Sequence, residues 1–90
     1  MPALRACEGG CWAIWCPACT HAHVFGPEWS WNGDRDKPTF APSHRQWGAN
    51  GECHILLLDG AIYYQQDCKN GWAGKTTLIQ EFPTLTSRDF

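Results

Sequence analysis

The sequence has no long apolar run, no block of like charge and no basic surplus. Nothing in it approaches the roughly 18 apolar residues of a membrane-spanning helix, so no membrane is expected as a partner. Seven basic against nine acidic residues leave a formal net charge of -2. That balance speaks against a dedicated nucleic-acid binder, whose domain carries a basic patch. The N-terminal stretch MPALRACEGGCWAIW lacks a basic segment leading into an apolar core, so no signal peptide is read. Helical periodicity is missing too: no segment holds a 3.6-residue apolar repeat over three turns. There is no internal repeat and no low-complexity tract.

What the chain does have is six cysteines and six tryptophans in 90 residues. A chain this short forms one small domain with a marginal core, and such domains recruit disulfides, a metal or a second copy. We take residues 1–83 as the domain and 84–90 as a tail; a homodimer is compatible with this. Without a signal peptide the cytoplasm is the expected compartment, where thiols stay reduced. There the Cys16-x-x-Cys19 spacing favours metal over disulfide.

Short β segments can be read from the pattern. Trp12 to Cys16 and His21 to Phe25 form a hairpin with Cys16 and Cys19 at its tip. Residues 35–43 carry two prolines and read as extended or looped. Cys53 to Leu58 and Ala61 to Cys68 flank Asp59-Gly60, a strong two-residue hairpin signal. In that register Leu58 pairs with Ala61, Leu57 with Ile62 and Ile55 with Tyr64. Cys53 and Cys68 then become diagonal neighbours on one face, and His54 points the other way. The β-branched run at Thr76 and Thr77 suits a last strand, and a short C-terminal helix within 71–82 is allowed. Gly74-Lys75-Thr76 is not a phosphate loop, because position 69 is lysine where the pattern needs glycine. The fold class expected is mostly β: a small zinc-ribbon-like antiparallel domain, two hairpins clamped by one metal.

The ligands follow from that register. Zinc takes four thiolate or imidazole donors in a tetrahedron. The first set is Cys16, Cys19, Cys53 and Cys68, with His23 and His54 in reserve. Four thiolates with no open position make a structural zinc. Cys7 and Cys11 read more readily as packed thiols than as ligands. Trp29, Trp31, Asn32, Asp34, Arg35, Lys37 and Phe40 form a dense aromatic and charged segment, a candidate recognition surface because Trp and Arg dominate binding hot spots. His54 and Asp67 share the hairpin's other face and could form a His–Asp dyad. Exposed polar decoration is the plainer reading, and no residue is assigned as catalytic.

The segments CPAC with His23, WSWNGDRDKPTFAPS, CHILLLDGAIYYQQDC and WAGKT resemble a family of short phage and prophage proteins. The family pattern is WCPGC…H, then WNGDxxKPTFxPS, then CH…DG…DC, and the likeness spans roughly Trp15 to Leu78. Some members are labelled ammonia monooxygenase, an activity whose membrane spans and copper apparatus this chain lacks. The resemblance implies a viral or prophage origin and a bacterial host cell. It places Cys16, Cys19, His23, Asn32, Gly33, Asp34, Lys37, Pro38, Thr39, Phe40, Cys53, His54, Asp67 and Cys68 on motif positions. The family's histidine two residues after the last cysteine is Asn70 here. The function expected is a phage-encoded zinc-binding module that binds a host or viral protein and inhibits a host defence system. Two alternatives stand beside it. One is a metal-dependent hydrolase or nuclease using His54 and Asp67 or an open zinc. The other is a single-strand nucleic-acid binder.

Overall fold

A computed structural model describes residues 3–48 and 50–82. The described chain is all β: β1 Arg5–Cys7, β2 Cys11–Cys16, β3 His21–Phe25, β4 Ser30–Trp31, β5 Phe40–Gly48, β6 Gly51–Leu58, β7 Ala61–Tyr64 and β8 Thr76–Leu78. They form a three-stranded sheet in the order β1-β2-β3 and a five-stranded sheet in the order β4-β5-β6-β7-β8. Every pairing is antiparallel.

Both expected hairpins are present. Leu58 pairs with Ala61, Leu57 with Ile62 and Ile55 with Tyr64. The turn works because Asp59 and Gly60 both adopt positive φ, 47° and 78°, as a two-residue hairpin requires. Beyond Tyr64 the expected strand stops, since Cys68 N–H donates to the Gln65 carbonyl and folds residues 65–68 into a turn. No helix forms among the described residues of 71–82; Thr76–Leu78 adds to the sheet edge, and Ile79 N–H donates to the Gly60 carbonyl. The expected tail, 84–90, lies outside the described residues.

Strand β5 is where the sequence misleads. Two prolines argue for a loop over 35–43, yet the chain is a strand from Phe40. Pro42 is accommodated because the β5–β6 ladder is broken around it. Between Phe40↔Leu57 and His44↔Ile55, β5 advances four residues while β6 advances two.

Strand alternation then sorts the side chains. Phe40, Cys53, Ile55, Leu57, Ile62 and Tyr64 are buried on the inner face of the larger sheet, against Ile14, Cys16 and Phe25 of the smaller one. Phe25 stacks on Phe40 with centroids 4.6 Å apart. The far face of the smaller sheet is covered by Phe82 packed on Ala13, Ala22 and Trp15. The outer face of the larger sheet carries Ser43, Arg45, His54 and Tyr63.

The loop between β4 and β5 is a clasp. Asn32 Oδ1 accepts the N–H groups of Asp34 and Thr39, and its Nδ2 donates to the Lys37 carbonyl. Thr39 Oγ1 accepts the Asp59 N–H, tying the loop to the hairpin turn. Replacing Asn32 by Ala leaves these backbone groups without their partner. We expect urea unfolding to show a loss of about 2 kcal/mol with an unchanged slope. Asp36→Ala on the same loop should stay within about 0.5 kcal/mol of the parent.

Candidate metal centre and adjoining polar triad

The hairpin tip is built to present sulfur. Cys16 ends β2, the Cys19 N–H donates to Cys16 Sγ at 3.4 Å, and Thr20 at φ 51° turns the chain back into β3. His23 then falls on the inner face of β3, and Cys53 comes from the inner face of β6. All four residues are buried, and their donor atoms lie within 4.8 Å of one another. Cys16 and Cys53 sulfurs are 3.9 Å apart, Cys19 Sγ lies 3.6 Å from His23 Nε2, and His23 Nε2 lies 3.4 Å from Cys53 Sγ. Metal–sulfur bonds of 2.3 Å in a tetrahedron place neighbouring donors roughly 3.8 Å apart, so the cluster fits one metal ion.

The thiols also fit it electrostatically. Hydrogen bonds from Cys19 and Cys53 hold the Cys16 thiol far below its ordinary value. The contact with Cys16 pushes Cys19 up to about 11, and contacts with Cys16 and then Cys19 push Cys53 higher still, because a second and third thiolate would crowd the first. A cation removes that conflict. Ligation through His23 Nε2 leaves the ring proton on Nδ1, where His44 Nδ1 lies 2.8 Å away. Burial first, and His23 second, lower His44 to about 4, so its ring is neutral and accepts that proton. A histidine ligand oriented this way is the usual arrangement around a metal. Gly48 is needed for the close packing, since a Cβ there would sit 2.8 Å from the Cys19 Cβ.

Two expected ligand positions change. Cys68 is outside the cluster: the turn at 65–68 draws it to the His54 backbone, where its sulfur accepts the His54 N–H and donates to the His54 carbonyl. His23, held in reserve, takes the fourth corner. His54, also in reserve, points away from the cluster on the other face of β6. Cys7 and Cys11 are directly paired neighbours on β1 and β2 and form a disulfide, where the sequence alone suggests packed thiols.

On that other face lies a second constellation. Ser43 Oγ is 2.8 Å from His54 Nε2, and His54 Nδ1 is 2.9 Å from Asp67 Oδ1. The bond from His54 holds the Asp67 carboxyl below the usual carboxylate range, with Arg45 adding to it. Arg45 Nη2 donates to Asp67 Oδ2 at 2.8 Å, and its Nε to Glu52 Oε2 at 3.0 Å. The break in the ladder is what brings these together. In the register before it Ser43 would face His54; in the register after it Arg45 does. Both residues therefore address one histidine, Ser43 at Nε2 and Arg45 on the Nδ1 side.

The chemistry of a hydroxyl, an imidazole and a carboxylate in this order is nucleophile activation. The sequence offered His54 and Asp67 as a pair but not Ser43. Its signal, the serine closing KPTFAPS, could not be used while β5 was read as a loop. The candidate recognition residues are largely engaged with the fold. Phe40 is buried, and Trp31 stacks on it and packs against Trp12. Trp29 packs on Phe25 and donates to the Pro42 carbonyl. Asn32 and Asp34 hold the clasp, which takes in the Lys37 backbone, and Arg35 lies 5.1 Å over the Trp12 ring. No described helix is long and apolar enough to cross a membrane.

Residues 3–65 match the family model described as bacterial ubiquitination-like system serine protease (BubE). The match covers well over half of the chain, and the chain belongs to that family. The description speaks of a bacterial system and is silent on phage origin. Ser43 and His54 lie inside the matched span and Asp67 just past it. No curated protein and no solved structure gives a match.

The ligand set separates cleanly by substitution. Protein purified with equimolar zinc should retain one metal per chain by plasma mass spectrometry. Cys53→Ser and His23→Ala should lose it, whereas Cys68→Ser should keep it. Metal retained in Cys53→Ser, or lost in Cys68→Ser alone, would overturn the assignment.

Proposed function

From membership of that family and the geometry of its outer face, we propose that the chain is a serine protease. Its nucleophile is Ser43, its general base is His54 and its orienting carboxylate is Asp67. The observation that carries this is the continuous hydrogen-bonded chain from Ser43 Oγ through His54 to Asp67 Oδ1. The substrate is a peptide or isopeptide bond in a protein of a ubiquitination-like system. The protein partner expected from the sequence is, on this reading, a substrate.

In the reaction Ser43 Oγ attacks the carbonyl carbon while His54 Nε2 takes the hydroxyl proton. Asp67 stabilises the resulting imidazolium and fixes the tautomer. His54 then returns the proton to the leaving amine as the carbon–nitrogen bond breaks. Water enters by the same route, giving its proton to His54 and its hydroxyl to the acyl carbon. Ser43 is released with its proton restored.

Three thiolates and an imidazole in a buried tetrahedron suit zinc best among common metals. A zinc ion there supplies no reaction chemistry, since four protein donors leave no position for water or substrate. Held by Cys16, Cys19, His23 and Cys53, it would cross-link the β2–β3 hairpin to β6. Of the metal-dependent hydrolase or nuclease raised by the sequence, this reading keeps the His54–Asp67 pair and drops both the metal dependence and the open zinc.

A fluorophosphonate probe should add to Ser43, located by tandem mass spectrometry, and p-nitrophenyl acetate should be turned over. Ser43→Ala should abolish labelling and lower kcat by at least about 10⁴-fold, with Asp67→Asn close behind. Exchange of zinc for cobalt should leave kcat within about twofold, as a structural site predicts. Labelling at another residue, or unchanged turnover in Ser43→Ala, would sink the proposal.

A further inference from the structure

Strand β5 is partnered by β6 on one side, save at the break around Pro42, and on the other side only at its start. β4 pairs with Phe40 and Ala41 alone, and among the described residues no strand continues that edge from Ser43 to Gly48. The backbone of β6 shows which groups are left. The carbonyls of Glu52 and His54 point away from β5, accepting the N–H groups of Lys69 and Gln65. Their partners on β5, Trp47 and Arg45, sit in the non-hydrogen-bonded pairs of the antiparallel ladder and so aim their own N–H and C=O groups outward. No described backbone group meets them.

A cavity opens at the same place. It holds about 290 Å³ and is lined by Gln46, Trp47 and Gly48 of β5 and by Cys19, Thr20 and His21 of the β2–β3 tip. Trp47 is 72% exposed, the most exposed large apolar side chain among the described residues. From Gln46 back to Ser43 is three residues of strand, roughly 10 Å.

We propose that the open edge of β5 is the substrate-binding strand. This rests on Ser43 being the nucleophile. An extended peptide adds to the sheet beside Ser43–Gly48 and exchanges backbone hydrogen bonds with Arg45 and Trp47. It lays its scissile carbonyl at Ser43, and a side chain about three residues along enters the cavity against the Trp47 indole. Backbone pairing supplies affinity with little sequence demand, and the single cavity supplies selectivity, as in other cases of strand addition. The ligand class is an unstructured segment of substrate protein, not a folded surface.

Three probes on the unaltered, metal-loaded protein test this. They are ethyl fluorophosphonate, a tetraalanyl phosphonate ester, and the same tetraalanyl ester N-methylated at its two internal amides. The tetraalanyl probe should label Ser43 at least tenfold faster than its N-methylated form. Its adduct should protect the Arg45 and Trp47 amides from hydrogen exchange, which the ethyl adduct should not. Equal rates for the two peptidyl probes, or protection confined to β8, would overturn the edge while leaving the nucleophile standing. Absence of labelling by the ethyl probe rejects Ser43 as nucleophile, and the edge proposal falls with it.

Discussion

Neighbouring residues on a strand must point to opposite faces, and this constraint ties the two sites of the molecule together. Cys53, a donor in the metal cluster, is followed by His54 of the triad. Ser43 is followed by His44, whose ring meets the His23 donor. The turn after β7 adds a third such neighbour by its own geometry: Asp67 is followed by Cys68, whose sulfur is clamped to the His54 backbone by two bonds. Each outward-facing residue is thus covalently next to an inward-facing anchor. The candidate metal cluster and the inner core act on the triad through the backbone rather than through any contact between the sites.

That arrangement explains how a domain of this size could hold a reactive geometry. Exposed ion pairs such as Arg45 with Asp67 contribute little stability on their own. Their role is directional: Arg45 fixes one carboxylate oxygen so that the other faces His54. Rigidity comes from the opposite face, where Ile55, Leu57, Phe40 and the buried cluster admit few rearrangements. The charged network is read on a surface whose shape is already determined underneath.

The sequence was informative where local rules decide. The Asp59-Gly60 turn fixed a register that the structure keeps for each pair from Ile55 to Leu58, and the CxxC tip formed as expected. It failed where one element depends on another. Extending the second hairpin past Tyr64 put Cys68 beside Cys53, but the Gln65–Cys68 turn ends the ladder and hands the fourth corner to His23. Likewise Pro42 argues locally against a strand, and only the partner strand β6 shows that a break in register absorbs it. Ser43 was therefore unreadable: its relation to His54 depends on a pairing that no nearby residue announces. The segment Trp29 to Phe40 reads in the sequence as a dense aromatic and charged recognition surface, and its residues also serve packing and the clasp on Asp59.

Ser43 and His54 come from the adjacent strands β5 and β6, and Asp67 from the turn that follows β7 in the same meander, whereas the candidate metal donors span two sheets. The outer constellation therefore closes only short loops as it forms, and the chain entropy lost in assembling it is small. The long-range closure, bringing the β2–β3 tip to β6, falls to the cation-binding cluster. Local topology assembles the hydroxyl–imidazole–carboxylate chain, and the buried Cys/His cluster carries the contact order.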